Sequence, residues 1–174
     1  MEIYIGNLTL ITYLIITPLL ISMFRIDYKL QIIPNRFNLT LFEIGLVYTF
    51  LIGFSNISMA VDKILGLFIG GGIFLIITLI GGWIAGKEAM GFGDVKLMCG
   101  LGMVFGALNI INISIMSFLI GAIVSIFLLA TKIRKTSEYI PFGPFIVFAC
   151  FIAMIVPTSA ILKVLLKIFT LGMM

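Results

Sequence analysis

Long apolar runs broken by short polar segments are the feature that most limits the folds open to this chain. The runs cover residues 8–24, 37–54, 64–85, 95–108, 110–131 and 141–157. A soluble domain of 174 residues needs a polar shell, and a chain that is 62% hydrophobic and 10% charged cannot make one. We therefore predict an all-α, polytopic membrane helical bundle of about six spans, with residues 1–174 forming a single domain.

Two parts of this pattern are ambiguous. The run at 95–108 is short for a span, so it would need a thinned bilayer or a start below the membrane surface. Asn109 and Asn112 are predicted to mark a tight turn after it. The tail at 160–171 carries Lys163 and Lys167 on one helical face, which suits either an interfacial helix or a seventh span with snorkelling lysines.

The basic residues set the expected orientation. Eight of the eleven lie in alternate loops or beside them: Arg25, Lys29, Arg36, Lys87, Lys96, Lys132, Arg134 and Lys135. By the positive-inside rule these loops face the cytoplasm and the N-terminus lies outside. This clustering between apolar runs argues for a multi-pass protein of the cell membrane and against a nucleic-acid partner.

The composition also bears on metals and cofactors. The chain has no histidine, and Cys99 and Cys150 form no CxxC pair. A structural zinc site and a disulfide scaffold are therefore not expected, and no cofactor is expected.

Two aspartates are placed at the same expected membrane depth. Asp27 follows the first apolar run, and Asp94, which is 67 residues later, begins the fourth. Both would lie at the cytoplasmic face, where helix ends can meet in a compact bundle. Two carboxylates held close in a partly dry site share a proton and titrate as a unit. That arrangement suits aspartyl proteolysis, in which one carboxylate activates water and the other protonates the scissile carbonyl.

Each aspartate also has a structural interpretation. An isolated Asp94 at a helix start is most often an N-cap. An isolated Asp27 is most often a solvated charge paired with Arg25 or Lys29. Gly91 and Gly93, on either side of Phe92, are expected to permit positive φ and the close approach of a substrate backbone.

Three ordered segments carry a family resemblance. GFGDVKLM (91–98) resembles the GxGD signature of type IV prepilin peptidases, and Asp27 followed by IIPN (32–35) resembles the first aspartate segment of that family. IPFGP (140–144) resembles its third recurring segment. GxGD alone is a weak signal, but the three together in a multispan chain are strong.

The resemblance implies an intramembrane-type aspartyl endopeptidase with Asp27 and Asp94 as catalytic residues. Family members cleave the basic leader of prepilins or pseudopilins at the cytoplasmic membrane surface, after a glycine and before a hydrophobic helix. The larger members carry an additional cytoplasmic segment with cysteine pairs and N-methylate the product. That segment has no counterpart here, so methyltransferase activity is not expected. The IPN and IPFGP segments favour bacterial pilins over archaeal preflagellins as the substrate class.

Other residues are assigned supporting roles: Gly91, Gly93, Lys96, Glu88, Pro34, Asn35, Pro141, Gly143 and Pro144. Lys96 either snorkels to lipid or binds substrate, and Glu88 either meets the basic leader or is a solvated loop acid. Pro34 and Asn35 are expected to end a turn and cap the second span. The remaining prolines and Gly143 either bend the chain near the site or simply start a helix.

Two other functions remain open. A small proton-coupled transporter could use Asp27, Asp94 and Glu43 as relay groups, although no inverted repeat is evident. A non-catalytic assembly component of a pilus or secretion system is the other. Cleavage of a prepilin that needs both aspartates would separate the peptidase from these two.

Overall fold

Seven α-helices make up the computed structural model, which describes residues 2–86, 90–131 and 141–170. In chain order they are α1 (Glu2–Leu30), α2 (Asn35–Gly53), α3 (Ile57–Ala85), α4 (Phe92–Phe105), α5 (Ala107–Ala130), α6 (Gly143–Ile155) and α7 (Thr158–Thr170). The described residues contain no β-strand, so the all-α fold class is confirmed.

Four of these helices are long and apolar enough to cross a membrane, namely α1, α2, α3 and α5. The pair α6 and α7 would make a fifth span, although the two helices are bent by 118° relative to each other. The predicted count of about six is therefore not confirmed. The 14 residues of α4 rise only about 21 Å, against an apolar core of roughly 30 Å.

The short helix α4 lies inside the bundle. Ten of its 14 residues are buried. Glycines bring its neighbours close: a Cβ on Gly102 would overlap the backbone of Gly66 in α3, and a Cβ on Gly45 in α2 would lie 2.9 Å from that of Met103. Because α2 and α3 cover it, α4 does not need the length of a span, which explains the short fourth apolar run.

The turn predicted at Asn109 and Asn112 is wrong. The chain breaks at one residue, Gly106, whose φ of 87° suits glycine, and α5 begins directly after it. Both asparagines lie inside α5, where the Asn109 side-chain amide donates to the Phe105 carbonyl at 3.0 Å. An asparagine that finds a helical carbonyl does not have to end a helix.

Two helix boundaries position the site described below. Helix α1 runs past its apolar segment to Leu30, and the Gln31 N–H donates to the Asp27 carbonyl at 2.9 Å, so Asp27 lies in the last turn. Helix α6 begins at Gly143, with Pro144 in its first turn. The preceding Phe142 ring packs 4.9 Å from that of Phe118, which fixes this start against α5.

Candidate active site

One cavity of about 200 Å³ lies where the end of α1, the α1–α2 connection and the start of α4 meet. It is lined by Asp27, Gln31, Ile32, Ile33, Gly91, Phe92, Gly93 and Asp94. Asp27 is 5% exposed and Asp94 is 4% exposed. The fold thus brings to one cavity two carboxylates that are far apart in sequence.

Asp94 is not a helix cap. The N-cap of α4 is Gly91, which makes no side-chain cap, and Asp94 is the third residue of the helix. The interpretation of Asp94 as an N-cap is therefore wrong. Its carboxyl group remains near the positive end of the helix dipole and borders the cavity.

The glycines beside Asp94 have ordinary backbone angles. Gly91 has φ of −67°, and the positive-φ glycines of the described chain are Gly86 and Gly106, so the expected positive φ at Gly91 and Gly93 is wrong. Gly93 instead permits a close approach, because a Cβ there would lie 3.2 Å from the Ile33 Cβ. The missing side chain lets the α1–α2 connection pack against the start of α4.

Asn38 holds the same junction, and the sequence reasoning missed it. Its side-chain amide donates to the Gly93 carbonyl at 3.2 Å, and the residue is 4% exposed. The sequence feature that could have identified Asn38 is a side-chain amide inside an apolar run. Asn38 lies three residues after Asn35 and therefore on the same helical face. The bond ties α2 to the residue preceding Asp94.

Gly143 adjoins the other carboxylate. A Cβ on Gly143 would overlap Oδ2 of Asp27, so a larger residue at the start of α6 would displace this carboxyl group. Oδ2 is buried and has no hydrogen-bond partner among the described residues. Within that part of the chain, Asp27 forms no ion pair with Arg25 or Lys29, so the surface-pair interpretation is not supported.

Burial and, to a lesser extent, the negative charge of Asp27 together raise the pKa of Asp94 to about 7. Asp94 lies outside the four long spans. A carboxyl group with this pKa holds or releases a proton near neutral pH, so the pair can supply one acid and one base. No group of three or more potential metal-ligating His, Cys, Asp or Glu side chains occurs within residues 2–86, 90–131 and 141–170.

The other predicted residues lie around this centre. Pro34 is the N-cap of α2 and Asn35 its first residue, but neither provides a side-chain cap, so the capping prediction is only partly right. Asn35 Oδ1 instead accepts a hydrogen bond from Lys96 Nζ at 2.9 Å. Lys96 is exposed and does not line the cavity. Pro141 is buried just before α6, and Glu88 lies outside the described residues.

Comparison with known proteins gives a consistent result. The sequence model of the type IV leader peptidase family matches residues 14–126. The chain is 30% identical over 142 residues to a prepilin leader peptidase/N-methyltransferase of Aeromonas hydrophila, covering 82% of this chain and 48% of that protein. For the proteins of the same name from Pseudomonas aeruginosa and Xanthomonas campestris pv. campestris, identity is 31% in each case, over 82% and 78% of this chain and 48% and 46% of theirs.

The chain thus spans about half the length of the curated relatives that it matches. No solved structure matches it. Both aspartates lie within the stretch that the family model covers.

Proposed function

Because the chain belongs to the type IV leader peptidase family, we propose that it is an aspartyl endopeptidase with Asp27 and Asp94 as its catalytic pair. The observation that carries the proposal is the burial of both carboxylates at a single cavity. Buried like charges disfavour double ionisation, so the pair holds one proton. One group is then an acid and the other a base at the same peptide bond.

The two carboxyl groups can carry out every proton transfer that peptide-bond hydrolysis needs. The ionised carboxylate accepts a proton from water as the water oxygen bonds to the scissile carbonyl carbon. The protonated carboxyl group donates its proton to the carbonyl oxygen. When the intermediate collapses, the C–N bond breaks and the leaving amine takes one proton from the pair. A hydroxyl of the intermediate returns its proton to the pair as the product C=O forms, so the pair again holds one proton. Gly143 keeps space for the Asp27 carboxylate during these steps.

The substrate is a prepilin or a related pilin-like precursor. The relatives are named prepilin leader peptidases, and the segments around Asp27, Asp94 and Gly143 are those that carry the family resemblance. We propose that cleavage follows a glycine that joins a basic leader to an apolar helix. Glu88 is a candidate acidic contact for that leader.

Of the two activities that the relatives' names print, we carry over only peptidase activity to these 174 residues. The matched stretch is about half of each relative and includes both aspartates. Mass spectrometry of the product's new N-terminus detects both cleavage and N-methylation. An unmethylated product supports the proposal, and a methylated product contradicts this part of it.

The deciding experiment incubates purified protein in detergent with a prepilin and compares wild type with Asp27→Asn and Asp94→Asn. Asparagine keeps the size of aspartate but cannot shuttle a proton, so each variant should lose on the order of 10²–10⁴-fold in rate. The double variant should be no worse than either single variant, because the pair acts as one unit. Substantial cleavage by a folded Asp94→Asn protein would refute the aspartyl mechanism.

Orientation needs its own test. We propose that Asp27 and Asp94 face the cytoplasm, as the basic residues Arg25, Lys29 and Arg36 indicate. An impermeant thiol reagent added outside intact cells should label a cysteine placed at Asn56 and miss one placed at Lys29. The reverse pattern would contradict the proposed orientation.

A further inference from the structure

A second recess lies beside the aspartate cavity and shares no lining residue with it. This α2–α4 groove has a volume of about 450 Å³ and is lined chiefly by Arg36, Leu39 and Phe42 of α2 and by Lys96 and Cys99 of α4. Asn38, which holds the Gly93 carbonyl, also borders it. The groove is therefore built against the same junction that positions Asp94.

The mouth of the α2–α4 groove is cationic. Arg36 and Lys96 are both exposed. Lys96 Nζ donates one hydrogen bond to Asn35 Oδ1 at 2.9 Å, which leaves two of its three N–H donors free of that contact. Neither cation forms an ion pair with any residue that the structure describes. Two such cations within one groove favour an anion that can accept several hydrogen bonds.

The rest of the groove lining is mainly apolar. Leu39 and Phe42 follow Arg36 by three and six residues, so the three side chains form an i±3 row that leads along α2 away from its start. At 1.5 Å per residue, Phe42 lies about 9 Å further along the helix than Arg36. Leu39 is 59% exposed, so this face is open to a ligand from the side. Basic side chains at the start of α2 and apolar side chains further along it match the headgroup and the acyl chain of a phospholipid.

We propose that the α2–α4 groove binds one anionic phospholipid, with its phosphate on Arg36 and Lys96 and an acyl chain along Leu39 and Phe42. Positive charge at the helix ends attracts anionic lipid headgroups. A basic peptide would be repelled by the same pair of cations, and a free phosphate would leave Leu39 and Phe42 uncovered. The bound lipid bridges α2 and α4 and thereby supports the contact between Asn38 and Gly93.

The test measures lipid binding and not cleavage, so it is independent of the proposed peptidase activity. Protein in detergent is titrated with phosphatidylglycerol or phosphatidylcholine and analysed by native mass spectrometry. Phosphatidylglycerol should be retained preferentially, and Arg36→Gln/Lys96→Gln should lower its affinity at least about tenfold. The matched control, Arg25→Gln/Lys29→Gln, removes the same charge from the end of α1 and should stay within about twofold of wild type.

Several results would overturn the proposal. They are equal retention of the two lipids, equal losses of lipid affinity in the two double variants, and displacement of the lipid by inorganic phosphate or by a basic leader peptide.

A second measurement uses the wild-type protein and therefore does not depend on whether the variants fold. Cys99 borders the groove and is half-buried, whereas Cys150 is fully buried. Maleimide should modify Cys99 more slowly in phosphatidylglycerol nanodiscs than in phosphatidylcholine nanodiscs, and equal rates would count against the lipid.

Discussion

The two ends of α4 each have an aspartate beside a glycine at a helix boundary, yet the two settings differ. At the far end, Asp62 of α3 lies against Gly106, and its Oδ1 accepts the Ala107 N–H at 3.3 Å. At the near end, Asp27 lies against Gly143, and its Oδ2 has no partner among the described residues. The first carboxylate satisfies a free N–H at the start of α5, whereas the second faces a cavity with another carboxylate.

The charged groups that neighbour the aspartates also differ between the two ends of α4. Lys63 adjoins Asp62 and attracts it electrostatically, and its ammonium lies 5.5 Å from the centre of the Tyr48 ring. At the near end, the charged group that acts on Asp94 is Asp27, which carries the same charge. A carboxylate given a donor and a cation stabilises the fold. Two buried carboxylates at one cavity disfavour double ionisation, so the pair retains a proton and is available for acid–base chemistry.

The largest expected effect is on stability, with opposite signs at the two ends. The pKa of Asp94 is raised to about 7, so ionisation favours the unfolded chain. Wild-type stability should fall as pH rises from the unfolded value near 4 to about 7, by at most about 4 kcal/mol. Asp94→Asn removes this penalty, so its melting temperature in detergent should exceed that of wild type by more at about pH 8 than at about pH 5.

Asp62→Ala is the matched variant at the other end. It removes the acceptor for the Ala107 N–H and should destabilise the protein by about 1 kcal/mol. The comparison fails if Asp94→Asn is destabilising at about pH 8, or if Asp62→Ala has no effect on thermal unfolding.

The next effect separates two glycines. Gly143→Ala puts a methyl group where the Asp27 carboxylate lies and should slow cleavage about a hundredfold, because small displacements of a reacting group cost that much. Gly72→Ala is the control, since a Cβ there meets nothing within 4 Å. It should leave cleavage unchanged and stabilise α3 slightly through helix propensity. Similar rates for the two variants would remove Gly143 from the site.

The pH dependence of cleavage tests the pair directly. As pH rises above about 7, Asp94 loses its proton and the acid of the pair disappears, so the rate should fall about tenfold per pH unit. Asp62→Ala should show the same descending limb, because Asp62 belongs to the other end of α4. A rate that is flat to about pH 9 would contradict the shared proton.

Much of the fold and of the aspartate site could be predicted from the sequence, and the part that could not has a physical cause. The apolar runs predicted the helices, and the motifs predicted which segments approach Asp27 and Asp94. The enclosed position of α4 was not predicted, because a 14-residue apolar run looks the same in lipid and in a protein core. The close contact of Gly143 with Asp27 was also hidden, since it depends on how α6 packs against α1.

The smallest expected effect concerns a third carboxylate, Glu43, which belongs to neither end. It lies eight residues after the start of α2, about 12 Å along the helix, in a mainly apolar groove between α1 and α2. It is exposed, and that groove shares no lining residue with the aspartate cavity.

Glu43→Gln should therefore leave the cleavage rate within about twofold of wild type and its pH profile unchanged. The stability of the protein should rise slightly, because a neutral amide costs less than a carboxylate at membrane depth. A proton relay through Glu43, Asp27 and Asp94 predicts the opposite. If Glu43→Gln abolished cleavage or moved the descending limb of the pH profile in a protein that still unfolds cooperatively, Glu43 would join Asp27 and Asp94 as a functional carboxylate.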